Sequence, residues 1–255
     1  MKLFFRKLGH GQPMLILHGL FGQSDNWLTL GKRFSEKYEV HLVDLRNHGH
    51  SPHSNEWSYK AMSDDILELI NENQLKEIIL MGHSMGGKTA MQFALDHAEK
   101  LSKLIVADMA PKYYPPQHDK VIEGLLSIDL HAIKTRKEAE EQLSKYIPDF
   151  GTKQFLLKNL YRKEENVLAW RFNLQAISKK ADTLGDAFNM GRLKCILPTL
   201  FLRGERSNYI LNSDIPLIES LFPNYRLKTI ANAGHWLHSD QPDLFFDYIM
   251  SFSTP

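Results

Sequence analysis

Four apolar residues, Ile78 to Met81, run straight into Gly82-His83-Ser84-Met85-Gly86-Gly87, and a helical pattern continues from Met85 to His97. A short buried strand that turns so abruptly into a helix belongs in a sheet covered on both faces, where strands read as unbroken apolar runs. The Gly-x-Ser-x-Gly spacing at the turn narrows the choice further. A serine on so sharp a turn sits in strained backbone, and side chains two residues before and after it would strike the neighbouring strand or helix. Glycine removes both collisions. The Ser84 hydroxyl then stands free above the sheet edge, and the Met85 N–H, at the helix start, faces the place where an oxyanion would form. By chance the spacing occurs in about one chain of this length in ten. The bland alternative is an ordinary turn with a capping serine, so the rest of the chain has to decide.

That remainder supplies the alternation a parallel sheet needs. Leu3 to Leu8 and Met14 to Leu17 read as a hairpin opening the sheet. His18-Gly19-Leu20-Phe21-Gly22 is a glycine-rich strand exit, and Ser24 to Phe34 reads as a helix capped by Ser24 or Asp25. Val40 to Leu45 is a strand entering the polar turn Asp44 to Ser51, Tyr59 to Asn73 a helix, and Lys103 to Ala107 a strand ending at Asp108-Met109-Ala110-Pro111. From Pro111 to Cys195 the strand signals stop. Helical patterns over Val121–Ile128, Arg136–Tyr146, Gln154–Tyr161 and Val167–Ile177 predict a helical cap inserted between two strands. Alternation resumes with the strand Thr199–Leu202, the helix Asn212–Phe222, the strand Arg226–Ile230 and the closing helix Pro242–Phe252. The expected fold is α/β, a mainly parallel central sheet flanked by helices, with a core of residues 1–111 and 196–255 and a cap of residues 112–195. Ligands bind such sheets at the carboxyl ends of the strands. The His18 turn, Ser84, Asp108, the Gly204 turn and His235 all fall at those ends.

Composition sets outer bounds. The 255 residues carry a formal net charge of +1 with acids and bases interspersed, which fits one large core and no nucleic-acid groove. No run of 18 apolar residues occurs, and the apolar start at Met1 to Phe5 is too short for a signal peptide, so neither a membrane span nor a secretory leader is expected. The single cysteine, Cys195, rules out an internal disulfide and points to a reducing compartment or to indifference to redox; the expected setting is cytoplasmic. Lying before an apolar run, it reads as a buried structural thiol.

A serine hydroxyl needs a base within hydrogen-bond reach, and one that returns the proton to a leaving group near neutral pH is a histidine. Of 12 histidines, His235 follows the last strand and is the expected final member of a Ser…Asp…His order; His238 is its competitor. His83 adjoins Ser84, but its side chain points away, and His18 reads as shaping its own loop. The remaining histidines read as surface or satisfied core residues. Many hydrolases of this order carry the acid in a Gly-x-x-Asp turn after the strand that follows the cap. Here that turn is Gly204-Glu205-Arg206-Ser207. Asp108, one strand earlier, is therefore the expected acid, with Glu205 and Asp214 as alternatives and Ser207 as a candidate fourth member. The expected oxyanion donors are the N–H groups of Leu20 and Met85, with Phe21 the alternate to Leu20. Asp44 and Arg46 read as structural polar residues. Phe21, Tyr113, Trp170, Phe172 and Trp236 are candidate pocket residues, with packing inside the cap the equal alternative for Tyr113, Trp170 and Phe172.

At these positions the chain resembles the α/β-hydrolase family over almost its whole length. The resemblance rests on His18-Gly19-Leu20-Phe21-Gly22, Asp44-x-Arg46-Asn47-His48-Gly49-x-Ser51, Gly82-His83-Ser84-Met85-Gly86-Gly87-Lys88 and Gly234-His235-Trp236. Together with Asp108-x-Ala110-Pro111 and Trp170-Arg171-Phe172-Asn173 it looks most like the YbfF-type bacterial esterases and the ABHD11-like hydrolases. That resemblance implies a cap over the site, an acid at Asp108 beside Ser207, and esterase or thioesterase activity extending to acyl-CoA. The expected reaction is acyl transfer from a small ester or thioester to water through a Ser84–His235–Asp108 triad, with no metal or cofactor. The expected assembly is a monomer or small homo-oligomer. A haloalkane dehalogenase is disfavoured, because its elbow nucleophile is a carboxylate. A carbon–carbon bond hydrolase, a cofactor-free haloperoxidase and a non-catalytic binding member remain as alternatives.

Overall fold

The computed structural model describes residues 1–116, 118–165, 167–186 and 194–254. Its strands are β1 (Phe5–Leu8), β2 (Gln12–Leu17), β3 (Tyr38–Val43), β4 (Ile78–His83), β5 (Leu101–Ala107), β6 (Leu160–Glu164), β7 (Val167–Trp170), β8 (Thr199–Gly204) and β9 (Tyr225–Ile230). Seven of them form one sheet in the order β1-β3-β2-β4-β5-β8-β9, while β6 and β7 pair with each other. Every neighbour pair in the large sheet is parallel except β1 with β3.

The hairpin expected from the first two strands does not form. β3 lies between them, antiparallel to β1 with Phe5 opposite Val43, and parallel to β2 with Leu17 opposite Val43. The reason is burial. Met14 to Leu17 are four consecutive buried residues and take an interior position, whereas β1 is mostly half-exposed and takes the edge.

Alternate strand residues feed two cores. Met14, Ile16, Ile79, Met81 and Ile105 face α1 (Leu28–Phe34) and α10 (Pro242–Ser253), whose Phe34, Phe245 and Ile249 join them. Leu15, Leu17, Leu80, Leu104 and Val106 face α2 (Tyr59–Glu72) and α3 (Met85–Asp96). The entry to α1 is held differently from expectation. Asn26 Oδ1 accepts from Gln23 N at 2.7 Å, and the Ser24 N–H is taken by Asp44 Oδ1 at 2.5 Å, so neither Ser24 nor Asp25 is the cap.

Between β5 and β8 the chain builds α4 (Asp119–Leu126), α5 (Arg136–Leu143), α6 (Phe150–Leu157) and α7 (Leu174–Lys180), with the β6–β7 hairpin before α7. The helix expected over Val167–Ile177 is in fact a strand followed by a helix. Leu168 and Trp170 are the buried residues of β7, a period-two pattern, and Trp170 sits opposite Leu160. Asn173 then starts α7, its side chain accepting from Ala176 N at 3.2 Å. Polar bonds sew this segment to the sheet loops. Asn159 Nδ2 donates to Phe21 O at 2.8 Å, and Asn173 N to Asn47 O at 2.8 Å. The buried Lys88 of α3 donates to Gly185 O at 3.0 Å and Asp186 O at 2.6 Å. After β8 come α8 (Ile215–Leu221) and, beyond β9, α9 (Leu237–Asp240) leading into α10. No helix among the described residues is long and apolar enough to cross a membrane.

Candidate active site

Ser84 lies between β4 and α3 with φ 54° and ψ −120°, in backbone that L residues rarely adopt. Its own N–H donates to Ala107 O at 3.2 Å, and its C=O receives Lys88 N at 3.0 Å, so the turn is locked on both sides. The flanking glycines are steric necessities. A Cβ on Gly82 would lie 2.1 Å from Gly86 O, and one on Gly86 would lie 2.4 Å from Leu17 O on β2.

Asp108 directly follows β5 with φ 49° and is fully buried. Its Oδ2 accepts from His235 Nδ1 at 2.8 Å and from the Ser207 hydroxyl, while Oδ1 accepts from Gly204 N at 3.0 Å. The β8 and β9 exits that carry Ser207 and His235 touch backbone to backbone: a Cβ on Gly204 would lie 2.2 Å from Gly234 O. Tyr209 stacks on the His235 ring, centroids 3.7 Å apart. The other candidate acids are engaged elsewhere. Glu205 Oε2 accepts from Asn232 N at 2.8 Å, and Asp214 pairs with Lys112 Nζ at 2.5 Å.

His238 stacks on Trp27 at 4.2 Å rather than reaching a carboxylate, and burial, reinforced by the nearby His235, pushes its pKa down to about 3. His83 is also held neutral, mainly by burial. Its Nε2–H donates to the His235 carbonyl at 2.8 Å, steadying the loop that carries that ring.

The loop after β2 closes over Ser84. A Cβ on Gly19 would sit 3.2 Å from the Ser84 Cβ. Two buried histidines shape this loop. His18 Nδ1–H donates to Gly19 O at 2.8 Å while its Nε2 accepts from Leu45 N at 3.0 Å. His48 Nδ1–H donates to Arg46 O at 3.0 Å while its Nε2 accepts from Phe21 N at 3.2 Å. The Phe21 N–H is therefore occupied. The amides of Leu20 and Met85 donate to nothing among the described residues. Asp44 and Arg46 hold the neighbouring turn: Asp44 Oδ2 accepts from His50 N at 2.8 Å, and Arg46 grips Asp65 at 2.6 and 2.8 Å.

A cavity of about 190 Å³ opens over this arrangement, with Leu20, Phe21, Ser84, His235 and Trp236 on its sheet side. His118, Val121, Phe155 and Leu156 face it from the segment between β5 and β8. Three candidate pocket residues are not among those lining it. Tyr113 is 54% exposed, and Trp170 and Phe172 stack on each other at 5.2 Å, with Phe172 edge-on to Phe21, as buried packing. Trp170 and Phe172 thus serve the core and its contact with Phe21, while Tyr113 faces outward. His118 and Phe155 were missed because their place depends on how that segment folds back, and Tyr209 because nothing local in the exit of β8 marks its stacking on His235. Among the described residues no group of three or more His, Cys, Asp or Glu is placed to hold a metal ion.

A family model described as alpha/beta hydrolase fold matches residues 12–242. The chain belongs to the alpha/beta hydrolase family. It is 44% identical to a solved "Marine microorganism esterase", covering 98% of this chain and 99% of that one with a TM-score of 0.96. The sn-1-specific diacylglycerol lipase ABHD11 of Mus musculus is 38% identical over 248 residues, 94% of this chain and 80% of that protein. Esterase YbfF of Escherichia coli (strain K12) is 30% identical over 238 residues, 92% and 90% of the two chains. This member of the alpha/beta hydrolase family is a hydrolase of the esterase/lipase type.

Proposed function

We propose that this hydrolase cleaves carboxylic esters of short to medium acyl chains through an acyl-enzyme on Ser84. The observation that carries the reading is the 2.8 Å bond from His235 Nδ1–H to the buried Asp108 carboxylate, with His235 and Ser84 lining one cavity. That bond selects the tautomer with a bare Nε2, the form a general base needs. Nε2 takes the Ser84 proton as Oγ bonds to the carbonyl carbon, and the N–H groups of Leu20 and Met85 hold the oxygen that becomes negative. As the tetrahedral intermediate collapses, the His235 imidazolium gives its proton to the departing oxygen, or to the sulfur of a thioester. Water repeats the sequence, with His235 again the base, and releases the acid and Ser84. Asp108 stabilises the imidazolium. Ser207 and the Gly204 N–H hold that carboxylate in orientation, which makes Ser207 a positioning residue. Residues 112–195 act as a cap, supported by the wall that His118, Val121, Phe155 and Leu156 contribute. A cytoplasmic setting agrees with the one, buried, cysteine.

The test is turnover of p-nitrophenyl esters and acyl-CoA thioesters by wild type and Ser84→Ala. The variant is expected to lose at least about a thousandfold in kcat while keeping its fold by circular dichroism. Full rate in Ser84→Ala on an activated ester would remove the nucleophile from the scheme.

A further inference from the structure

Two cavities, not one, meet at Ser84. Beside the larger cavity lies a second of about 40 Å³, walled by Tyr59, Met85, Met109, Tyr114, Pro116 and Leu184 among the described residues. Ser84, Leu20, His118 and Tyr209 line both. The remaining walls differ in a way that matters for the chemistry. His235 lines the larger cavity and not the smaller; Met85 lines the smaller and not the larger.

The two halves of an ester part in a fixed direction relative to these groups. When the Ser84 Oγ–carbon bond forms and the carbon–oxygen bond to the alcohol breaks, the proton reaching that oxygen comes from His235. The alcohol therefore leaves on the His235 side. The acyl carbon stays on Oγ, its oxygen toward the Leu20 and Met85 amides, and its chain extends away from His235. From this we infer that the smaller cavity is the acyl site and the larger cavity the leaving-group site, so that this enzyme selects esters of a short acyl group and tolerates a bulky alcohol. The inference rests on the roles proposed above for Ser84 and His235.

Size gives the limits. A water-sized group needs about 10–15 Å³ of such space, so the smaller cavity takes roughly three non-hydrogen atoms and accommodates acetyl to butyryl. The larger cavity is not confined in this way. His235, Trp236, His238 and Phe155 also line a neighbouring open cleft of about 680 Å³, which lets a large alcohol extend outward.

The experiment measures kcat/KM for p-nitrophenyl acetate, butyrate, hexanoate and octanoate, and for acetates of p-nitrophenol and 2-naphthol. From butyrate to octanoate the expected fall is at least about tenfold, the scale of discrimination by methylenes a pocket cannot hold. Changing p-nitrophenyl acetate to 2-naphthyl acetate is expected to alter kcat/KM by less than about threefold beyond the difference in the two esters' hydroxide-catalysed rates. Met109→Ala, and on a separate element Leu184→Ala, should raise the octanoate-to-butyrate ratio at least about fivefold, while Phe155→Ala in the larger cavity leaves it alone. Equal rates on octanoate and butyrate in wild type, or an acyl preference that moves with Phe155→Ala and not with Met109→Ala or Leu184→Ala, would overturn the assignment. Either result with turnover still dependent on Ser84 leaves the hydrolase mechanism standing. Turnover independent of Ser84 would overturn the mechanism and the assignment with it.

Discussion

At the scale of single residues, the proposed nucleophile and its proposed acid share an unusual backbone. Ser84 and Asp108 both have positive φ, 54° and 49°, a conformation that holds about 1–3 kcal/mol of strain in an L residue. Replacing Ser84 with glycine relieves that strain, less about 0.5–1 kcal/mol for the freer unfolded chain. For a net gain of about 1 kcal/mol, Ser84→Gly is expected to be inactive yet to melt about 2–4 °C higher, which differential scanning calorimetry would check; a lower Tm would mean that the turn carries the serine without strain. The tight turn that carries Ser84 was legible in the sequence because its glycines are forced by contacts within the turn itself and with β2. Asp108 stood out in the sequence by elimination, since Ser207 occupies the place where an aspartate was expected, and the structure brings its carboxylate to His235. His118 carried no such signal: it stands at the start of α4, in a segment whose path no local pattern reveals.

Among the elements, buried strands were the easiest to read and polar ones the hardest. β4 and β5 end in near-continuous apolar runs because helices cover both faces of the sheet. β6 ends in Arg162-Lys163-Glu164 and is exposed there, so nothing in its composition separates it from a helix end. The β1–β3–β2 order was hidden for another reason: pairing partners distant in sequence leave no mark on either strand. The contact joining α6 to the loop over Ser84 offers a test at this scale. Asn159, which follows α6, is buried and donates to the Phe21 carbonyl at 2.8 Å. Asn159→Ala leaves that carbonyl without its side-chain donor and is expected to destabilise the fold by about 1–3 kcal/mol, measured by urea unfolding. An unchanged midpoint would show that the loop is held by His48 and the sheet alone.

For the molecule as a whole, burial keeps His18, His48, His83, His118 and His238 below the ordinary histidine pKa. Unfolded, each takes a proton below about pH 6.5. Folded, His48 resists protonation down to about pH 3, mainly through desolvation. Between those values the unfolded chain binds more protons, so stability is full above pH 6.5 and falls as the pH drops through the window. His48 alone contributes up to about 1.4 kcal/mol of loss per pH unit there. The urea midpoint is expected to drop markedly between pH 7 and pH 5, and a level midpoint would contradict the neutral, buried state of these rings. In the folded protein His48 keeps its bond to the Phe21 N–H down to about pH 3, so the fall in stability in this window reflects protonation of the unfolded chain and not a change in the loop over Ser84.

The strained turn at Ser84 also bears on how such a chain changes over generations. A lineage selected for endurance alone, with its chemistry no longer needed, would gain by exchanging the serine for glycine. Its inactive descendants would be the sturdier ones, and a return would run uphill. On the proposed mechanism, only continued demand for the reaction keeps the hydroxyl where it is.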